Sequence, residues 1–503
     1  MPEYVAHHLL KPVIEERLYQ TAIFNTATKK NTLCVLPTGM GKTAIAIMLA
    51  AHRMENGGKV MIVAPTRPLA AQHQESFQKA FELPKREIVL VTGQIPPLAR
   101  REYYREARII TATPQTIQND LRTGKLDFSD FSLLIVDEVH RAVKKYAYPF
   151  VAKAYMERSK NPRILGLTAS PGSDEAKINE IRKGLFIEAV EIRDEEDGDV
   201  KPYVQEKEIE IIKVPFAGEL VTIQGNLKSA LSDRQEKLQK YNIYARSKRD
   251  LLLAQERTSR LMKLEQRPVY FHVISLIAET IKLWHMLELL ETQSISAARL
   301  YADRLKQESS RAAKRIIDDR KVNEALVLMD LVSSRGEEHP KMAALKDIIG
   351  KEMPNKIKVI VFSHYRDNIE KILQTLKTVE GCRPVSLIGQ AGEKGLTQTE
   401  QIETIESYED GLYNVLVTSS IGEEGLHISS ADMAIFYDSV PSEIRTIQRR
   451  GRVGRTKVGK IVILLTKGTR DEAYYYTAKR KEQRMHDILE DMQHGKGLQR
   501  FVK

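Results

Sequence analysis

Apolar and polar residues alternate in blocks along the first 190 positions. Short runs rich in Val, Ile and Leu recur: NTLCVLPT (31–38), KVMIVAPT (59–66), ARIITATP (107–114), FSLLIVDE (131–138) and RILGLTAS (163–170). They are apolar throughout rather than at every second position, the pattern of strands buried on both faces. Segments between them, such as TAIAIMLAAHRMEN, space their apolar residues as helices do. This rhythm predicts a parallel sheet covered by helices on both sides. A second series follows: IKVIVFSHY (357–365), RPVSLIG (383–389), YNVLVTSS (413–420), DMAIFYD (432–438) and KIVILLTKG (460–468). Between the two series the texture changes. Residues 221–330 hold one glycine, Gly225, and one proline, Pro268, and Ile274, Ile277, Ile281, Trp284 and Leu287 predict a helix with a buried face. The expected fold is α/β, with parallel-sheet domains over 1–210 and 336–503 and a helical insert over 211–335.

Composition narrows the class. A chain of 503 residues is too long for one core, and 42% apolar with 29% charged residues describes a folded protein. No apolar run reaches the roughly 18 residues that span a bilayer. The start, MPEYVAHHLLKPVIEERLYQ, has no basic region followed by an apolar core, so no secretory signal and a cytoplasmic, nucleoid-associated address are expected. Cys34 and Cys382 lie far apart, which argues against a disulfide framework or a zinc site. The net charge of +11 suits a polyanion. Residues 221–330 contribute 20 basic against 14 acidic residues. Arg304, Arg311 and Arg315 fall near one helical face and are joined by Lys314, Arg320 and Lys321. That face reads either as a solvated surface or as a grip on a duplex backbone. The acidic run RDEEDGD (193–199) reads as a surface loop.

Residues 36–43, LPTGMGKT, follow a strand run and open a helix, the setting of a phosphate-binding loop. The strict pattern G-x-x-x-x-G-K-[ST] has glycine where Leu36 stands. Pro37, Thr38, Gly39, Met40, Gly41, Lys42 and Thr43 would form the loop, with backbone N–H groups and the helix N-terminus facing phosphate. Lys42 would reach the β- and γ-phosphates of ATP, and Thr43 would ligate Mg²⁺. Asp137 and Glu138 close an apolar strand, where a carboxylate pair needs a cation. Asp137 would hold Mg²⁺ through its water shell, and Glu138 would deprotonate the attacking water.

PTGMGKT, DEVH (137–140), TAS (168–170) and QRRGRVGR (448–455), in this order, resemble the motor core of superfamily 2 helicases. That family uses the shorter loop P-T-G-x-G-K-T, which accounts for Leu36. PTRPLAAQHQESF (65–77), TPQTIQNDL (113–121), EVHRAVKKYAY (138–148), HPKM (339–342), SIGEEGL (420–426) and PSEIRTIQRRGRVGRT (441–456), with GTRDEAYYY (468–476), are similar to the archaeal Hef helicases, relatives of the Fanconi-anaemia group M translocase. The resemblance covers nearly the whole chain and implies two RecA-like domains with a thumb-like insert. It implies that Gln20 reads the adenine edge with support from Arg17. Gln448, Arg452 and Arg455 would face the nucleotide from the second half, the two arginines as fingers. Glu423 or Glu424, with Gly425, would complete the cleft edge. Val139 replaces the usual alanine of the box, and His427 stands where aspartate is common, which leaves its role open.

The same resemblance places nucleic-acid contacts at Thr66, Arg67, Gly93, Thr113 and Gln115 in the first half and Ser363, His364, Gln390 and Thr418 in the second. Arg311, Lys314 and Arg315 of the insert would hold an adjacent duplex. Thr168 and Ser170 would couple the two sites through hydroxyl bonds to the Asp137–His140 strand end. The expected activity is an ATP-dependent DNA helicase or translocase on forked or four-way DNA, in repair and replication-fork processing. No clustered carboxylate nuclease signature occurs outside the ATP site, so no nuclease activity is expected; a separate nuclease or replication clamp stands as a partner. An RNA-directed motor and an ATP-gated clamp that binds duplex without moving remain as alternatives.

Overall fold

The computed structural model describes residues 3–55, 57–143, 146–204, 207–389, 395–419, 431–440, 442 and 459–494. The first sheet holds β1 (Thr32–Val35), β2 (Lys59–Val63), β3 (Ile88–Val91), β4 (Ile109–Ala112), β5 (Phe131–Val136), β6 (Ile164–Thr168) and β7 (Ala189–Ile192), in the order β3-β4-β2-β5-β6-β1-β7. The second holds β8 (Lys207–Val214), β9 (Val359–Phe362), β10 (Pro384–Leu387), β11 (Val415–Thr418), β12 (Met433–Phe436) and β13 (Gly459–Thr466), in the order β10-β11-β9-β12-β13-β8. Every strand pairing within these sheets is parallel. All ten apolar runs became strands. The three strands without such a run, β3, β7 and β8, all lie at sheet edges. An edge strand needs less apolar surface, and β8 reads KEIEIIKV with Ile209 and Ile211 exposed. The expected division at 210/211 falls inside β8, so the second sheet takes a strand from before the insert.

The insert comprises helices Glu219–Gln239, Lys248–Glu265, Pro268–Thr292, Ile295–Gln307, Arg311–Ile317 and Arg320–Ser334. Its core packs Leu227, Leu283, Leu287, Ala298, Ile316 and Met329. The expectation that Arg304, Arg311 and Arg315 share one helical face is corrected. The chain breaks between Gln307 and Arg311, where Ser310 caps a new helix, and Asp319 caps a third.

A buried polar joint fastens the insert to the second sheet. Lys341 is fully buried and donates to Thr292 O (2.6 Å), Tyr437 O (2.7 Å) and Asp471 Oδ2 (2.8 Å). Asp471 also accepts from the Ser439 and Thr466 N–H groups. Burial pushes the Asp471 carboxyl above its ordinary range despite the Lys341 charge beside it. Removing one partner of a buried pair leaves the other uncompensated, at about 3–5 kcal/mol. Lys341→Ala is therefore expected to lower the unfolding midpoint in urea markedly, and a wild-type midpoint would show that the joint contributes little. The helix that starts at this joint, Arg470–Gln493, runs back to the first sheet, where Met485 and Leu489 enter the core beside Val190 and Ile192.

Candidate nucleotide and nucleic-acid site

The phosphate loop follows β1 and opens helix Lys42–Met54. Gly39 and Gly41 sit at φ +91° and +76°, the left-handed region that glycine adopts without strain. At Gly41 a Cβ would also meet Gln20 Nε2 at 2.2 Å, so a side chain there would displace the Gln20 amide from the loop. Lys42 folds over its own loop, donating to Leu36 O (2.8 Å) and Pro37 O (3.1 Å). Gln20 is buried against the loop: its Nε2 donates to Met40 O (3.3 Å), and its Oε1 is buried with no hydrogen-bond partner among the described residues. Such an acceptor fits a base that brings an amino group, as adenine does. Tyr19 donates to Met40 O (2.8 Å), and Arg17 pairs with Glu15 (2.9 Å) and lies over the Tyr203 ring, so the support expected of Arg17 is indirect.

Asp137 follows β5 directly and is buried. Its Oδ2 accepts a 2.8 Å hydrogen bond from His73 Nε2, and its Oδ1 accepts the Glu138 N–H at 2.9 Å. Burial works to raise the carboxyl's pKa, but the His73 hydrogen bond, the His73 charge and the Lys42 charge together hold it below the ordinary range. An ionised carboxylate facing the loop lysine is what a Mg²⁺ water shell requires. Glu138 has φ +49°, a backbone position that disfavours any residue with a Cβ. His140 Nδ1 lies 3.2 Å from Glu138 Oε2 without hydrogen-bond alignment.

His73 was not singled out by the sequence reasoning, although PTRPLAAQHQESF contains it. It sits on helix Arg67–Ala80, which begins at Thr66 directly beyond β2. The helix therefore joins a predicted nucleic-acid contact at one end to the Asp137 carboxylate along its side. Loss of a group that orients a metal-holding ligand typically costs 10–100-fold in affinity or activity. His73→Ala is expected to lower ATP turnover by about that factor and to raise the half-saturating Mg²⁺ concentration. His73→Gln, which can still donate, is expected to recover most of it; equal Mg²⁺ dependence in all three proteins would remove the role.

The strand order separates the predicted contacts. Nucleotide residues follow β1 and β5. Thr66 and Arg67, Gly93, and Thr113 and Gln115 follow β2, β3 and β4, which are neighbours on the other side of the sheet. Arg67, Gly93 and Gln115 are exposed. Thr66 and Thr113 each cap a helix; Thr66 accepts from Leu69 N and Thr113 pairs with Thr116 Oγ1 at 2.9 Å.

In the second half two expectations are corrected. Ser363 and Thr418 are fully buried: Ser363 Oγ accepts from Asn368 Nδ2 (3.0 Å), and Thr418 Oγ1 donates to Leu387 O (3.0 Å). Their hydroxyls tie the sheet end together instead of facing a groove. His364 is part-buried, with its N–H donating to Asp438 Oδ2 at 2.6 Å. Gln390, Glu423, Glu424, Gly425, His427, Gln448, Arg452 and Arg455 lie outside the described residues.

Thr168 and Ser170 also differ from expectation. Thr168 Oγ1 donates to Ser170 O (3.0 Å) and accepts Ser170 N–H (3.1 Å), closing a local turn. Ser170 Oγ lies 2.9 Å from Met485 Sδ, on the helix that returns from the second sheet. The Ser170 hydroxyl thus meets an element of the other half, and among the described residues neither hydroxyl bonds to Asp137–His140. In the insert, Arg315 is paired with the buried Glu279 (3.1 Å), whereas Arg311 and Lys314 are exposed and make no ion pair among the described residues.

Family models match three parts of the chain: DEAD/DEAH box helicase over 17–178, helicase conserved C-terminal domain over 340–457, and a helical bundle of ATP-dependent RNA helicases over 213–336. The crystal structure of the Pyrococcus furiosus Hef helicase domain superposes with a TM-score of 0.71 at 40% identity, covering 92% of this chain and 98% of that one. A Methanocaldococcus jannaschii protein named as an ATP-dependent RNA helicase is 40% identical over 97% of this chain and 63% of its own length. The Neurospora crassa ATP-dependent DNA helicase mph1 is 34% identical over 91% of this chain and 41% of its own. The chain thus spans less than two thirds of these two relatives. Among the described residues no helix is long and apolar enough to cross a membrane.

Proposed function

Because the chain belongs to the superfamily 2 helicases of the Hef group, we propose that it is an ATP-dependent DNA helicase or translocase acting on forked and four-way DNA, in repair and replication-fork processing. The observation that carries this reading is the division of one sheet edge: the nucleotide residues follow β1 and β5, and exposed Arg67, Gly93 and Gln115 follow β2, β3 and β4. Contacts of that kind, blind to sequence, suit a motor that moves along a backbone.

Lys42 draws in the triphosphate, Gln20 meets the adenine edge, and Glu138 takes a proton from the attacking water. Thr43 and Asp137 would hold Mg²⁺, which when bound neutralises charge on the phosphates. Arg452 and Arg455 would attract the same phosphates from the second half, so bound ATP draws the halves together and hydrolysis lets them part. The Ser170–Met485 contact gives the second half a direct hold on the TAS segment during that motion.

The experiment is a panel of single-stranded DNA, duplex, fork, four-way junction and double-stranded RNA, scored for ATPase stimulation and strand displacement. Forks and junctions are expected to stimulate most and to be remodelled. Stimulation by double-stranded RNA alone would favour the RNA motor suggested by the name of the Methanocaldococcus relative, and hydrolysis without displacement would indicate a clamp. Within the same panel, Arg311→Ala with Lys314→Ala is expected to flatten the dependence of log K on log salt by about 1.8, at roughly 0.9 per phosphate contact. An unchanged slope would remove these residues from the duplex grip.

A further inference from the structure

The insert carries a cavity of about 590 Å³ that none of the residues assigned above lines. It opens between helices Lys248–Glu265 and Pro268–Thr292, where the segment 241–244 crosses them. Leu253, Arg257 and Leu261, four residues apart, form one wall, and Tyr244, Val269 and Tyr270 form the other. Leu253, Leu261 and Val269 are exposed, and Tyr244 is 69% exposed. Leu264 and Phe271, on the same two helices, are exposed as well. Apolar surface gathered in this way on a folded protein marks an interaction site more often than chance.

The surrounding charge has one sign. Residues 237–272 contain nine Lys and Arg against three Asp and Glu. All three acids are already engaged: Asp250 accepts the Arg246 and Ser247 N–H groups, Glu256 pairs with Arg260, and Glu265 pairs with Arg267. Lys237, Lys240, Arg246, Arg249, Arg257 and Lys263 make no ion pair among the described residues. The complement is therefore acidic.

A nucleic-acid strand would satisfy the charge but not the wall. A base carries donors and acceptors along its edge. Three polar side chains of the cavity are engaged within the chain: Asp250 accepts the Arg246 and Ser247 N–H groups, Thr258 donates to Ala254 O (2.8 Å) and Tyr270 donates to Glu265 (2.6 Å), and the Leu253, Leu261 and Val269 side chains offer no polar group at all. A base lodged against Leu253, Leu261 and Val269 would lose hydrogen bonds to water without replacing them. A Leu, Met or Phe side chain has no N–H or O–H donor to strand and gains burial. We propose that this cavity docks a protein segment that presents a large apolar side chain flanked by Asp and Glu. The inference goes beyond the motor reading and stands whether or not the chain remodels forks.

The test is selection of displayed random short peptides on the full chain, with counter-selection on the Leu261→Asp variant. Survivors are expected to combine acids with a large apolar residue. A synthesised survivor is expected to bind the wild-type chain with an affinity that falls as salt rises. Leu261→Asp and, separately, Arg257→Glu should each weaken that binding about tenfold or more. Both positions are exposed, and unchanged ATPase without nucleic acid checks that the fold is intact. Loss of all peptides on counter-selection, or survivors without acids, overturns the proposal. So does binding of oligothymidylate that Leu261→Asp abolishes, which would give the cavity to single-stranded nucleic acid.

Discussion

Lys42→Ala is expected to abolish ATP hydrolysis while leaving DNA binding largely intact. The ammonium is poised over the loop, 2.8 Å and 3.1 Å from the carbonyls of Leu36 and Pro37, and a triphosphate would offer it stronger, charged acceptors. No other cation of the loop can take its place, because LPTGMGKT contains no second Lys or Arg. Its charge also helps to keep Asp137 ionised against burial, so the substitution weakens the carboxylate proposed to hold the metal as well. DNA binding should survive because Arg67, Gly93 and Gln115 follow β2, β3 and β4, whereas Lys42 follows β1, three or more strands away. Phosphate release and anisotropy of a labelled fork measure the two outcomes. Substantial remaining turnover would mean that the loop is not the hydrolytic site. Loss of fork binding together with hydrolysis would mean that the two halves of the sheet edge are not separable.

The chain makes its interior easy to read and its connections hard. Strands buried on both faces must be apolar at every position, so β1, β2, β4, β5 and β6 stand out from any background. The edge strands β3, β7 and β8 face fewer neighbours, and Glu191 or Lys213 is tolerated within them. The candidate phosphate loop and the Asp137–Glu138 pair stand out in the sequence because the chemistry proposed for them is local: a few consecutive residues supply the donors, the turn and the charge. His73 was not legible. Its partner is 64 positions away, and one histidine on a helix face carries no signal of what lies opposite it. Two of the second-half contacts differ for the converse reason. Ser363 and Thr418 occur where the motif pattern puts contacts, but burial turned their hydroxyls inward. The arginines of the insert looked like one face because a regular spacing was carried through Ser310 and Asp319, residues whose side chains start new helices.

Arg455→Ala is expected to leave ATP binding near normal and to lower turnover by about 10³-fold or more, the range for a group that meets charge developing on the transferring phosphoryl. The two effects should separate because Lys42, Thr43 and Gln20, all in the first half, would supply most of the ground-state contacts, while an arginine from the second half would act only when the halves close. Arg455 lies outside the described residues, so the expectation rests on QRRGRVGR and on the path of the chain. β12 ends at Phe436 on the carboxyl edge of the second sheet, the edge at which open α/β folds bind ligands, and the motif follows it. Arg455→Lys is the sharper variant. Lysine keeps the charge but not the planar fork that fits two phosphate oxygens, so it is expected to recover little of the lost turnover. Steady-state phosphate release, set beside equilibrium binding of a fluorescent ATP analogue, reads the split between turnover and affinity. Wild-type turnover in Arg455→Ala would leave the second half without its assigned part in hydrolysis, and a loss of affinity as large as the loss of turnover would make Arg455 a binding group instead of one that acts on the transition state.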